Sequence, residues 1–419
     1  MNLSVRIFKI ARAAEKASGV LALVSSKEKN RALVLMAKAL LDQSAYIIRE
    51  NGKDLAAAQK ENYSPALVDR LTLDEKRIKG MADSLLATAK LKDPIGQVLQ
   101  TIRRPNGLLI KKIRVPLGVV GIIYESRPNV TSDCAALCLK SGNAAILKGG
   151  REAVHSNKAI FKALKSILGK TKIPVDALQL IESIDRQAVH ELLKLENIID
   201  VIVPRGGEEL IRFVAANTRI PVVKHYKGVC HVYVSRKADL AMAHQITMNA
   251  KTQKPGVCNA METLLVDQAV AAKFLPSVIA DLRGAGCEIR GDQAVRNIIK
   301  DGVKKATRED WSTEYLDLIL SVRVVNGLGQ AVEHINTYGS HHSDAIVTKD
   351  KKEAQQFLHR VDSACVYANA STRFTDGFEF GFGAEVGIST DKLHARGPMA
   401  LEGLTTYKYE ITGHGQIRK

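Results

Sequence analysis

Through roughly the first 95 residues, apolar positions recur at the three-to-four-residue spacing of amphipathic helices; beyond them the pattern breaks into short apolar runs. Ser25 with Glu28, and Thr72 with Glu75, have capping-box spacing and predict two helix starts. Asn51-Gly52 predicts the end of the long helix between them. The segment VLQTIRRPNGLLIKKIRV sets Asn106-Gly107 between two strand-like runs. That pair tolerates positive φ at both central turn positions, so the segment predicts an extended β-hairpin. From Pro116 onward, LGVVGIIY, AAILK, LQLIE and DVIVP alternate with amphipathic helices, and a second series after Gly228 contains ETLLV, SVRVV, DAIVT and ACVYANAS. Strands apolar at every position are buried on both faces, which requires parallel sheets covered by helices. The fold class is therefore α/β, with two successive doubly wound domains, and the terminal TTYKYEITGHGQIRK predicts a tail strand that pairs near the hairpin or with a partner subunit.

Composition narrows the function classes. With 46% hydrophobic residues over 419 positions, the chain can bury large cores and divides into two or three domains. A formal charge of +17 raises the question of nucleic acid, yet the Lys and Arg residues are interspersed among 44 acidic ones and aromatics are only 5%. No basic arm or stacking platform results, so no nucleic-acid partner is expected; a basic enzyme steering multiply charged anions accounts for the same balance. The six cysteines, at 134, 138, 230, 258, 287 and 365, include no C-x-x-C pair and no histidine at zinc-finger spacing, so neither a disulfide framework nor a metal site is expected. MNLSVRIFKIARAAEKA carries charges throughout, unlike a signal peptide, and no window approaches the ~20 apolar residues of a membrane span. A cytoplasmic protein with no membrane partner is the expectation.

One cysteine stands apart. Cys258 lies in NAKTQKPGVCNAMETLLV, where Pro255 and Gly256 break a helix and leave the thiol in a loop just before a strand, the place where doubly wound domains present reactive groups. Cys134 and Cys138 fall on one face of a helix, and Cys230, Cys287 and Cys365 sit in or beside strand-like runs, so packing explains all five. VIVPRGGEELI places Gly206-Gly207 between a strand and a helix start, where free N–H groups and the helix dipole favour a pyrophosphate.

Long stretches resemble one family: NAKTQKPGVCNAMETLLV, VPLGVVGIIYESRPNVTSDCAALCLKSGNAAILKGG, VDSACVYANASTRFTDG and GAEVGISTDKLHARGPM look like the gamma-glutamyl phosphate reductases (glutamate-5-semialdehyde dehydrogenases) of the aldehyde dehydrogenase superfamily, and the likeness spans essentially the whole chain. The resemblance implies two Rossmann-like domains and a β-hairpin oligomerisation element. Mapped here, these are an NADP-binding domain at 1–98 and 116–228, a catalytic domain at 229–403, and the hairpin and tail at 99–115 and 404–419. It implies reduction of L-glutamyl 5-phosphate by NADPH to L-glutamate 5-semialdehyde, with Cys258 as nucleophile, in a homo-oligomer. Because glutamyl phosphate is labile, association with the glutamate 5-kinase that makes it also follows.

Other roles come with the resemblance. The oxyanion side chain is Asn129 or Arg127 in YESRPNVT, the latter also suited to phosphate. Lys148 in ILKGGRE matches the superfamily lysine at the adenosine ribose, and Arg151 follows at a position where a cation pairs with the 2′-phosphate, favouring NADP over NAD. Asp317 in EYLDLILSV falls near the position that holds the nicotinamide ribose, and Arg373 or Arg396 is the candidate grip on the substrate carboxylate. The general-base glutamate of hydrolytic relatives is replaced by VVKHYKGVCH, which has no carboxylate; His225 within it is read as packing or hydrogen bonding.

Overall fold

The computed structural model describes residues 2–418. The chain forms two compact units: the first comprises residues up to Lys224, Gly381–Ile388 and everything from Pro398 onward, and the second His225–Phe380 with Ser389–Gly397.

In the first unit, helices Leu3–Leu21, Ser26–Asp42, Ser44–Lys60, Pro65–Leu71 and Glu75–Lys90 precede a parallel sheet ordered Leu178–Leu180, Ala144–Gly149, Val119–Tyr124, Val201–Arg205. Every residue of Val119–Tyr124 is buried, as its unbroken apolar sequence requires. Ile7, Ala11 and Ala14 of the first helix pack with Ile123, Ile146 and Ile202 of the sheet. Each such branched side chain removed from water contributes roughly 1.5–3 kcal/mol.

The hairpin forms, with Val98–Arg103 antiparallel to Leu109–Pro116, but of the expected turn pair only Gly107 takes positive φ (87°). The tail strand Thr405–Thr412 joins the other edge of Leu109–Pro116, giving a three-stranded sheet. Its outer residues Tyr407, Tyr409 and Ile411 are exposed.

The second unit is built on a seven-stranded parallel sheet ordered Val303–Lys305, Glu288–Gly291, Ile319–Val325, Met261–Asp267, Cys230–Val234, Ser343–Val347, Cys365–Ala368. Helices Leu240–Thr252 and Gln268–Gly284 cover one side, through a core that includes Val232, Leu264, Val266, Leu275, Val278 and Val322.

Three local expectations need correction. Helix Ser44–Lys60 runs through Asn51-Gly52 without interruption. Asn51 is buried, donating from its amide to Leu71 O (2.8 Å) and Ser156 Oγ (2.9 Å) while accepting from Leu73 N, so tertiary hydrogen bonds hold the pair in the helix. Ser25 does cap its helix, but Thr72 closes the preceding one and Asp74 is the cap that accepts from Arg77 N. The second unit does not run unbroken from 229 to 403: residues 381–388 fold back on the first, where Glu385 lies 3.6 Å from Arg205 and Val386 N donates to Met399 O. Among the described residues no helix is long and apolar enough to cross a membrane.

Candidate active site

The loop bearing Cys258 follows helix Leu240–Thr252 and precedes strand Met261–Asp267. Cys258 is partly exposed, whereas the other five cysteines are buried. Burial pushes the thiols of Cys134, Cys138, Cys230 and Cys287 well up from the ordinary value, which leaves them protonated and inert near neutral pH.

Several restraints hold this loop. Its neighbour Asn259 donates to Thr375 O (2.8 Å) and accepts, through its main-chain carbonyl, the Thr372 hydroxyl (2.7 Å). The Cys258 carbonyl accepts from Cys230 Sγ at 3.2 Å. Gly228 passes so close that a Cβ added there would lie 1.9 Å from Cys258 O and 2.5 Å from both its C and Cα. Gly228 N in turn donates to Glu314 Oε1 at 2.8 Å.

Beneath the loop, Lys251 and Glu262 form a fully buried ion pair at 2.6 Å. Burial pushes the Glu262 carboxyl up to about 7 against the pull of Lys251. The second carboxylate oxygen of Glu262 accepts Leu316 N, fixing a leucine whose φ of 55° lies in the left-handed region. A helix end, a strand start and the 314–316 segment are thus tied together under the nucleophile.

Two histidines complete this surface. The ligand atoms of His225, Cys258 and His342 all lie within 4.8 Å of one another, and the two imidazoles meet edge to face with centroids 5.5 Å apart. His342 is buried, with Nδ1 2.8 Å from Ser343 Oγ. This grouping was not legible beforehand: His225 read as packing, and His342 lies far beyond Cys258 in sequence, brought in by strand Ser343–Val347 pairing with Cys230–Val234. Its HHSD context after a helix was the only signal.

The remaining candidates divide clearly. Arg373 belongs with the loop: Nε donates to Gln253 Oε1 at 2.8 Å, and burial lowers its pKa while the Cys258 sulfur and Asp376 oppose that shift. Arg396 instead grips Asp362, with Nη1 2.9 Å from Oδ1 and Nη2 3.1 Å from the main-chain oxygen. The exposed Asp317 carboxylate folds back on its own neighbour, accepting Leu318 N, whereas Glu314 reaches the nucleophile loop through Gly228. Asn129 and Arg127 are exposed at the start of helix Val130–Lys140 in the first unit. The Asn129 amide donates to Asp133 Oδ2 (2.9 Å) rather than capping the helix.

Also in the first unit, a cavity of about 460 Å³ opens beyond the carboxyl ends of the strands, the usual ligand position in an open α/β sheet. Lys148, Gly150, Arg151, Arg186 and Gly207 line it. Lys148 is buried, donates to Gly149 O at 2.7 Å, and has its pKa lowered by desolvation. Arg151 stands at the rim, 3.0 Å from Glu61. The Gly206-Gly207 turn departs from expectation: Gly207 N already donates to Glu125 Oε2 (3.2 Å), and Glu208 and Glu209 fill the first helical turn. The anion at this helix start is the protein's own carboxylate, so the dipole is already compensated. A Cβ on Gly206 would strike that carboxylate at 2.2 Å.

Comparison with known proteins places this geometry. The aldehyde dehydrogenase family model matches residues 5–287. A gamma-glutamyl phosphate reductase of Nautilia profundicola is 54% identical over 98% of this chain and 99% of its own length, and that of Geotalea daltonii is 54% identical over the full length of both. The crystal structure of the Thermotoga maritima gamma-glutamyl phosphate reductase superposes with a TM-score of 0.95 at 44% identity, covering 99% of this chain and 100% of that one. The chain belongs to the gamma-glutamyl phosphate reductases of the aldehyde dehydrogenase family. It is thus an oxidoreductase acting on an aldehyde, with the family's parallel-sheet α/β fold.

Proposed function

We propose that the protein reduces L-glutamyl 5-phosphate with NADPH to L-glutamate 5-semialdehyde and phosphate, through a thioester on Cys258, in proline biosynthesis. The observation that carries this reading is the single partly exposed cysteine, held by main-chain and side-chain restraints beside Arg373, in a chain about 54% identical to gamma-glutamyl phosphate reductases.

In this mechanism Cys258 Sγ attacks the γ-carbonyl carbon, the C–S bond forms, and the C–O bond to phosphate breaks. Phosphate leaves readily, so the thioester forms without help from a metal or an activated water. When bound, NADPH supplies the hydride that takes the thioester to the thiohemiacetal. Breaking the C–S bond then returns the thiol and releases the aldehyde. The Cys258 N–H is the main-chain donor for the oxyanion, and Asn129 or Arg127 is the side-chain donor the family pattern suggests. Arg373, beside the nucleophile, is better supported than the paired Arg396 as the grip on the substrate carboxylate. VVKHYKGVCH lacks the carboxylate that would activate water, which suits an enzyme whose thioester must survive until reduction.

The cavity of the first unit suits the adenosine end of the cofactor. Its volume is that of a small-molecule site, Lys148 offers a buried donor, and Arg151 and Arg186 are cations matched to a 2′-phosphate. The pyrophosphate, by contrast, has to contend with Glu125 at Gly207, so the two glycines are the weaker part of the cofactor assignment. The exposed strand Thr405–Thr412 is an open edge suited to pairing with a second copy of the chain. Cytoplasmic location, and transfer of the labile substrate from glutamate 5-kinase, complete the reading.

Forward turnover tests the substrate. Glutamyl 5-phosphate generated in situ should oxidise NADPH, while acetyl- or propionyl-CoA should leave it untouched. Turnover of an acyl-CoA with no response to glutamyl phosphate would overturn the assignment.

A further inference from the structure

The trio His225, Cys258 and His342 is not spaced as a metal motif in sequence, yet it offers a cysteine sulfur and two imidazoles within one small volume. We propose that these three side chains form a binding site for a thiophilic divalent cation of the zinc or cadmium class, and that the bound ion shuts off the nucleophile reversibly.

The donor set is the argument. Imidazole and thiolate are the ligands that zinc prefers, and three protein ligands with one position left to water make a four-coordinate site. Zinc–sulfur and zinc–nitrogen bonds of about 2.3 and 2.05 Å in tetrahedral geometry need ligand atoms roughly 3.5 Å apart. The three atoms lie within 4.8 Å of one another, so contraction by about an ångström suffices. His225, in an irregular segment, and Cys258, in a turn, are only partly buried, which gives the ion an entry path. His342 is held from behind: Nδ1 meets Ser343 Oγ at 2.8 Å, and that hydroxyl meets Thr375 Oγ1 at 2.6 Å. Such an outer partner orients a ligating imidazole.

Binding exchanges a proton for the metal. The Cys258 S–H bond is replaced by a sulfur–metal bond, one proton leaves to solvent, and the imidazoles must be neutral. Affinity should therefore fall as the pH is lowered. A sulfur bound to metal cannot attack an acyl phosphate, so occupancy and acylation exclude each other. The binding does not depend on the proposed reaction; only the inhibition does.

The test uses the full-length enzyme with zinc or cadmium alone. Cadmium should produce a thiolate-to-metal ultraviolet charge-transfer band at one equivalent. Zinc should protect Cys258 from alkylation, located by peptide mass mapping, and chelator should restore it. His225→Gln and His342→Gln should each weaken binding about tenfold or more, and Cys258→Ala should abolish the cadmium band. His342 is buried, so a folding defect there leaves His225→Gln, checked by circular dichroism, to decide. An unchanged cadmium affinity in a folded His225→Gln variant would overturn the proposal, as would a cadmium band that survives in Cys258→Ala. Zinc protection of Cys258 from alkylation with turnover unchanged would sink the inhibition alone.

Discussion

Gly228→Ala isolates the packing that holds the nucleophile. Gly228 does not occupy the left-handed region, so alanine meets no backbone objection, and the cost is pure crowding. The new methyl would lie 1.9 Å from Cys258 O and 2.5 Å from its C and Cα, all main-chain atoms that no rotamer change can move aside. Restoring ordinary contact requires the two segments to separate by roughly 1.5 Å, the difference between 1.9 Å and the 3.4 Å at which contact becomes ordinary. A displacement of about 1 Å at reacting atoms costs on the order of a hundredfold in rate, equivalent to about 2.7 kcal/mol of transition-state stabilisation. Overpacking itself destabilises by about 1–3 kcal/mol. The assay is phosphate-dependent NADP reduction by glutamate semialdehyde, with urea unfolding alongside. We expect kcat to fall about a hundredfold while the variant remains folded. A folded Gly228→Ala enzyme within threefold of wild type would refute the reasoning that contact with Gly228 positions Cys258.

Other perturbations follow from the same structure. Lys251→Met should destabilise by about 3–5 kcal/mol because it strands the buried Glu262 carboxylate, and Lys251→Met with Glu262→Met should recover most of that in urea midpoints. His334, whose pKa burial pulls down to about 2, stays neutral in the fold while the unfolded chain takes up a proton near 6.5. Its contribution is complete above pH 6.5 and is lost as the pH falls, at about 1.4 kcal/mol per unit, so roughly 2 kcal/mol disappears by pH 5. His334→Gln, which keeps an acceptor for Arg323 Nη1, should flatten that part of the stability profile; an unchanged slope would rule this histidine out as its source. Arg151→Glu should raise the KM for NADPH about tenfold or more, the worth of a charge-assisted hydrogen bond of about 1.5–3 kcal/mol, and barely change that for NADH. Equal losses with both cofactors would remove the 2′-phosphate contact.

How much of this was legible in the sequence depends on the range over which each signal acts. The hairpin at Asn106-Gly107 and the apolar run Val119–Tyr124 are local signals, and the fold follows them. Cys258 was legible because Pro255 and Gly256 announce its loop. Asn51-Gly52 misled because the bonds that keep it helical come from residues 71, 73 and 156, which a local reading does not see. The same limit hid the Glu125 carboxylate at Gly207 and the Asp362 partner of Arg396, since a charged residue's motif does not say which counter-charge reaches it first. His342 and Glu314 approach the nucleophile only through the sheet order and the loop at Gly228.

The central claim is that Cys258 carries the substrate as a thioester released to phosphate and not to water. The direct measurement runs the reaction in reverse, following NADP reduction by glutamate semialdehyde in wild type and Cys258→Ala, with phosphate present, replaced by arsenate, or omitted. The account predicts that NADPH accumulates beyond one equivalent of enzyme only when an oxyanion and Cys258 are both present, and that wild type without either oxyanion stops after that single equivalent with a glutamyl thioester on the Cys258 peptide. Sustained NADPH formation with no oxyanion, or turnover surviving in Cys258→Ala, would contradict it.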